Sequence, residues 1–62
     1  MDALKYLSDQ LLEERNRIAE DLSDGKAKDH GEYKYSCGVV RGLLIANSYI
    51  DELSKRLEQD DE

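Results

Sequence analysis

The least polar run of the chain is Cys37-Gly38-Val39-Val40-Arg41-Gly42-Leu43-Leu44-Ile45-Ala46. Gly38, Gly42 and Ala46 recur every four residues, so in an α-helix they form one narrow strip that carries almost no side chain. Such a strip lets a second helix approach closely, and that contact would offset the roughly 1 kcal/mol that each glycine costs inside a helix. The run therefore predicts the packing centre of a small all-α protein.

A long helix is predicted around this run, from residue 30 to about residue 59. Its main apolar stripe has helical spacing and consists of Tyr35, Val39, Leu43, Ala46, Ile50, Leu53 and Leu57. Ile45 and Tyr49 lie on one flank of the stripe, next to the two glycines, and further apolar residues lie on the other flank. This helix therefore has more apolar surface than one partner helix can cover.

A first helix is predicted over residues 2 to 24, with Asp2 as its N-cap. Its apolar positions recur at helical spacing and are Leu4, Leu7, Leu11, Ile18 and Leu22. Gly25 follows directly, where a left-handed residue commonly ends a helix. Asp29, with Glu32 three residues later, predicts a capping box for the second helix.

The short connection between the helices predicts an antiparallel hairpin, and the 62 residues allow a single domain, 1–62. The expected neighbours are Leu22 with Tyr33, Ile18 with Cys37, Leu11 with Leu43, Leu7 with Ala46, and Leu4 with Ile50. Arg15 then faces Val39 and Val40. Its aliphatic stem either lies along the core while the charge reaches water, or its charge is paired and sets the register.

The second helix extends past the start of the first one, which leaves part of its apolar surface uncovered. A second hairpin would cover this overhang, so the sequence predicts a homodimeric four-helix bundle. A larger protein partner would serve the same purpose. The predicted interface residues are Gly38, Gly42, Ile45, Ala46, Tyr49, Leu53 and Leu57. If the glycines make a close contact, Gly42→Leu is expected to disrupt helix packing although it raises helix propensity.

Composition limits the possible partners. The net charge is −6 and 39% of the residues are charged, which argues against direct binding to nucleic acid or to an anionic membrane surface. No apolar run approaches the ~20 residues of a membrane span, and the first residues do not resemble a signal peptide. Cys37 is the only cysteine, so no intrachain disulfide is expected.

Few residues suggest chemistry. His30 lies near two carboxylates but has no further histidine or cysteine beside it, so an exposed residue is favoured over a metal ligand. Cys37 lies on an apolar stripe without an adjacent base, which favours a structural thiol over a nucleophile. We therefore expect no cofactor, no metal and no enzymatic activity.

Several motifs occur in a fixed order along the chain. They are Asp24-Gly25-Lys26-Ala27-Lys28-Asp29, Glu32-Tyr33, Cys37-Gly38-Val39-Val40-Arg41-Gly42-Leu43, Ala46 and Ile50-Asp51-Glu52-Leu53. This order resembles a group of short, mostly uncharacterised proteins of tailed bacteriophages. The resemblance covers about residues 22 to 57, and His30 stands where the pattern has an aromatic residue.

The resemblance implies a viral setting, in the host cytoplasm or in the virion, and no catalytic residues. Two functions follow as hypotheses. The first is a minor virion or assembly-associated protein that acts by helix-mediated association. The second is a small acidic inhibitor of a host enzyme that binds nucleic acid.

Overall fold

The computed structural model of the protein describes residues 2–60 and contains two α-helices that pack against each other, α1 (Ala3–Ser23) and α2 (His30–Asp60). No β-strand occurs within this range. The radius of gyration is 14.8 Å, whereas a compact chain of this length has about 11 Å. The predicted all-α hairpin is confirmed, and the helix ends lie within one residue of the predicted positions. The last two residues of the acidic tail are outside the described range.

Both helices begin at a capping aspartate, as predicted. The Asp2 carboxylate accepts hydrogen bonds from two backbone N–H groups of the first turn, at 3.0 and 3.3 Å. Asp29 Oδ1 accepts from the Glu32 N–H at 2.8 Å. In a capping box the Glu32 carboxylate would accept from the N–H of the N-cap residue Asp29. Here Glu32 Oε1 accepts from the N–H of the preceding residue, Lys28, at 3.2 Å. These bonds satisfy N–H groups that a helix start otherwise leaves without partners.

The end of α1 is formed by a left-handed glycine. Gly25 has φ +76°. Its N–H donates to the Leu22 carbonyl oxygen at 3.1 Å, and the Lys26 N–H donates to the Asp21 carbonyl oxygen at 3.1 Å. This pair of bonds is a Schellman motif, which closes the last turn of a helix and redirects the chain. The turn therefore sets the direction in which α2 returns along α1.

The two helices meet along one line of residues on each helix, which we call the seam. In α1 the seam is Leu4, Ser8, Leu11, Arg15, Ile18 and Leu22, and in α2 it is Ser36, Val40, Leu43, Asn47, Ile50 and Ser54; all twelve are buried or partly buried. On both helices the spacing alternates between four and three residues, which is the pattern of a coiled coil. The hairpin is therefore a short antiparallel coiled coil.

The most buried residues of the seam are polar. Ser8 and Asn47 are each 8% exposed, and no apolar side chain among residues 2–59 is as deeply buried. Asn47 Nδ2 donates to the Ser8 carbonyl oxygen at 3.0 Å and to Ser8 Oγ at 2.7 Å. Ser8 Oγ in turn donates to Asp51 Oδ1 at 3.2 Å. This network fixes the register of the two helices, because a shift of one helix along the other would leave buried polar groups without partners.

The structure corrects the predicted rotation of α2 about its own axis. The predicted main stripe is displaced from the seam by about 60° around the helix. Tyr35 is 75% exposed and Leu53 and Leu57 are about half exposed, as is Leu7 on α1. The predicted register, which pairs Leu7 with Ala46, agrees with the observed contact between Ser8 and Asn47. Leu43 and Ile50 of the stripe do lie in the seam. The other inward positions were wrong, because α2 is apolar around much of its circumference and a buried serine–asparagine pair was not expected.

Arg15 lies in the seam at the height of Val40, as its position in the sequence predicted. Its side chain is partly buried. Its Nε atom is buried and has no hydrogen-bond partner among residues 2–60. These features agree better with an aliphatic stem packed along the seam than with a paired charge.

Substitutions at Gly25 test the turn. Nothing lies within 4 Å of a Cβ placed at this position, so the penalty for a side chain comes from the backbone conformation alone. We expect Gly25→Ala to lower the free energy of unfolding by about 1–2 kcal/mol, because L-residues are disfavoured in left-handed backbone. Gly25→Asn should lower it less, because asparagine tolerates this conformation. Equal losses for both variants in thermal unfolding would contradict the turn argument.

Substitutions at the Ser8–Asn47 pair test the polar seam. We expect Asn47→Ala to destabilise the hairpin by about 1–3 kcal/mol, because it leaves the buried Ser8 hydroxyl without its donor. The double variant Ser8→Ala/Asn47→Leu should recover most of this loss, because it replaces both partners by apolar groups. Denaturant unfolding measures both changes. A double variant as unstable as Asn47→Ala would show that the hydrogen bonds contribute net stability.

Candidate interaction surface

One side of α2 exposes an apolar strip, which we call the outer face. It consists of Tyr35, Gly38, Gly42, Ile45, Ala46, Tyr49 and Leu53, all exposed. Helical geometry places this strip about 120° around α2 from the seam. It includes six of the seven predicted interface residues, and the seventh, Leu57, is also exposed and lies near the end of the helix. The structure thus leaves every predicted interface residue accessible.

The outer face exposes a large apolar area for so small a protein. Tyr35 is 75% exposed and Tyr49 is 69% exposed, and Ile45 and Leu53 are each 47% exposed. The two tyrosines alone expose about 300 Å². With the two aliphatic residues the face reaches roughly 500 Å², which is near the upper end for the largest apolar patch of a monomeric protein. The largest apolar patch of a monomeric protein is often functional, so the outer face is a candidate site of association.

The glycines of this face serve no contact inside the hairpin. A Cβ placed at Gly38 or at Gly42 meets no heavy atom within 4 Å. The close approach that their spacing suggests is therefore not an approach of α1. The glycines are instead exposed, and they lie along α2 between Tyr35 and Tyr49.

A charged groove adjoins one end of the outer face, near the turn. Ion pairs join Arg17 to Glu14 at 2.7 Å, Arg17 to Asp21 at 3.7 Å, and Lys26 to Asp21 at 3.1 Å. A hydrogen bond from Arg17 lowers the pKa of Glu14, and the same bond raises the pKa of Arg17. These side chains surround an open groove of about 390 Å³ whose floor includes Val39. The charges are paired with one another, so this end of the face is polar but close to neutral.

The opposite flank of α2 is more polar. Leu44 is 43% exposed there. The shallow groove beside it is lined mainly by polar residues, among them Asn47, Ser48, Asp51 and Lys55. The adjacent residues Leu44 and Ile45 therefore have similar exposure but lie on different sides of the helix.

The remaining candidate residues are His30 and Cys37. His30 is exposed and its ring lies 6.3 Å from that of Tyr33. No group of three potential metal ligands occurs among the described residues. Cys37 is partly buried, and a hydrogen bond with it is the main cause of the raised pKa of Tyr33.

Within residues 2–60, neither helix has an apolar segment of the length needed to cross a membrane. No protein-family model, curated protein or solved structure matches the chain.

The exposure of Gly42 changes the expectation for Gly42→Leu. Because a side chain at this position meets open space in the hairpin, we expect the monomer to keep its fold. It should gain about 0.5–1 kcal/mol, because glycine disfavours a helix. The neighbouring control Leu43→Ala lies in the seam and should lose stability. Thermal unfolding in dilute solution tests both, and a loss of stability in Gly42→Leu would show that α1 does contact the glycine strip.

Proposed function

We propose that this protein is a non-enzymatic helical hairpin that acts by association through the outer face of α2. Its role would be that of a minor virion or assembly-associated component of tailed-phage type. The observation that carries the proposal is the exposure of the tyrosines and aliphatic residues of the outer face. The sequence resemblance supports the viral setting, in the host cytoplasm or in the particle.

The weakness of the hairpin's own core supports association as the function. The accessible surface of the chain is 5094 Å², whereas a compact monomer of its mass exposes about 4,100 Å². The seam is partly polar. No intrachain disulfide reinforces it, because Cys37 is the only cysteine, and no group of three potential metal ligands occurs among the described residues. Small scaffolds of this kind gain stability from a partner, because binding to the folded state opposes unfolding.

A second candidate is a small acidic inhibitor of a host enzyme that binds nucleic acid. The net charge of −6 favours this candidate, because an acidic surface attracts the basic site of such an enzyme. In this case the contact would depend on charge, and the apolar outer face would have a lesser role.

Two adjacent substitutions test the role of the outer face. We expect Ile45→Lys to weaken association by about 100-fold, because it places a charge in an apolar contact. Leu44→Lys changes the net charge equally at a similarly exposed residue on the opposite flank, and it should change association by no more than about threefold. Sedimentation equilibrium over a range of concentrations measures both. Equal effects of the two variants would contradict the proposal.

Salt separates the two candidate functions. Raising the ionic strength from about 0.1 M to about 1 M shortens the screening length from about 10 Å to about 3 Å. Apolar association between acidic chains should then be retained or become tighter, because repulsion is screened. Binding of an acidic inhibitor to a basic enzyme should become weaker. Mass spectrometry of purified particles tests the structural role directly, since a virion component must be present in them.

A further inference from the structure

The exposed area of the outer face fits a second copy of the same face. Each copy offers roughly 500 Å² of apolar surface, so two copies together would bury about 1,000 Å², which is the lower limit for a specific interface. Neighbouring residues at the rim would add to this area. A two-fold pairing uses the same patch on both subunits, so the patch must be complementary to itself.

The order of bulky and small residues makes the face complementary to itself in one antiparallel register. If Ile45 of one copy lies opposite Gly42 of the other, the same register places Tyr49 opposite Gly38. By symmetry each contact occurs twice. Each bulky side chain then lies above a glycine whose Cβ position is open. An antiparallel register centred on Gly42 would instead place Gly42 opposite Gly42 and Tyr35 opposite Tyr49.

Charged residues near the two ends of α2 favour an antiparallel over a parallel pairing. Glu32 is exposed near the start of α2, where it lines the groove beside α1. The Arg56 side chain is 72% exposed near the end of α2 and pairs with Glu52 of its own helix at 3.0 Å. The register that pairs Ile45 with Gly42 brings Arg56 of one copy to within about one residue of the height of Glu32 of the other. A parallel pairing would instead place Arg56 beside Arg56 and Glu32 beside Glu32, which is unfavourable.

Resting on the proposed function, we infer that the partner of the outer face is a second copy of this chain. The two α2 helices pack antiparallel about a two-fold axis at the height of Leu43 and Leu44. Ile45 and Tyr49 of each copy pack over Gly42 and Gly38 of the other. The result is a four-helix dimer whose central contact is α2 against α2.

An exchange of residue size between two positions tests this register. Gly42→Ile and Ile45→Gly each break the pairing of a bulky residue with a small one, and each should weaken dimerisation by about tenfold or more. The double variant Gly42→Ile/Ile45→Gly restores the pairing with the positions exchanged. It also has the composition of the wild type, so its helix propensity is almost unchanged. We expect its dissociation constant to return to within about threefold of the wild-type value.

The distance between labels tests the orientation independently. In a Cys37→Ser background, a spin label at Lys55→Cys lies far from the two-fold axis. The antiparallel register separates the two labels by about 35 Å along the helices, at ~1.5 Å per residue. Parallel helices would hold the labels near the interhelical distance of about 10 Å. Circular dichroism on each variant checks that the helices are retained.

The outcomes distinguish the register from the proposed function. Rescue by the double variant together with the long distance supports the inference. A wild-type dimer without rescue, or with the short distance, overturns the register while the outer face keeps its proposed role. A chain that stays monomeric at all concentrations overturns the second copy as partner. If Ile45→Lys and Leu44→Lys weaken the dimer equally, both the register and the proposed function of the outer face are overturned.

Discussion

Two helices in a hairpin can bury only one strip of each helix, and the large exposed surface of this molecule follows from that limit. α1 covers the seam of α2, and most of the other residues of α2 up to Gln59 are exposed. A chain whose α2 is polar outside the seam would be complete as a monomer. Here the uncovered side carries two exposed tyrosines and a strip of small residues, so the surface left over by the hairpin is itself suited to helix packing.

Local signals predicted much of the fold. Asp2, Gly25 and Asp29 act within a few residues of their own positions, so the helix ends and the turn could be read without knowledge of the core. The short turn then sets the register, that is, which residues of α1 lie beside which residues of α2. Rotation about the helix axis is different, because it depends on which of two neighbouring apolar stripes the partner helix covers. Which of the two stripes packs more favourably against α1 cannot be decided from apolar spacing alone.

The Ser8–Asn47 pair explains why the wrong stripe was chosen. Burial of apolar residues favours the stripe with Ala46 and Leu53, and a buried asparagine is unfavourable unless its hydrogen bonds are satisfied. Asn47 is satisfied only because Ser8 lies at the same height on α1. A comparison of polar residues across the predicted register could have found this match. Ile45 and Tyr49 are exposed despite this error, because they lie outside the seam under either rotation, and their part in an interface stays a prediction.

The difference between the two flanks of α2 bears on the form that association takes. A chain with two apolar faces can add copies on both sides and grow into fibres, whereas a chain with one self-complementary face forms a closed pair. In this hairpin the flank around Leu44 is bordered by Asn47, Ser48 and Asp51, and Asp51 is held there by the Ser8 hydroxyl. The polar network that fixes the register of the hairpin therefore also makes one of its sides unsuitable for apolar packing. In the proposed dimer, this polar flank would leave the outer face as the apolar side of α2 that receives the second copy.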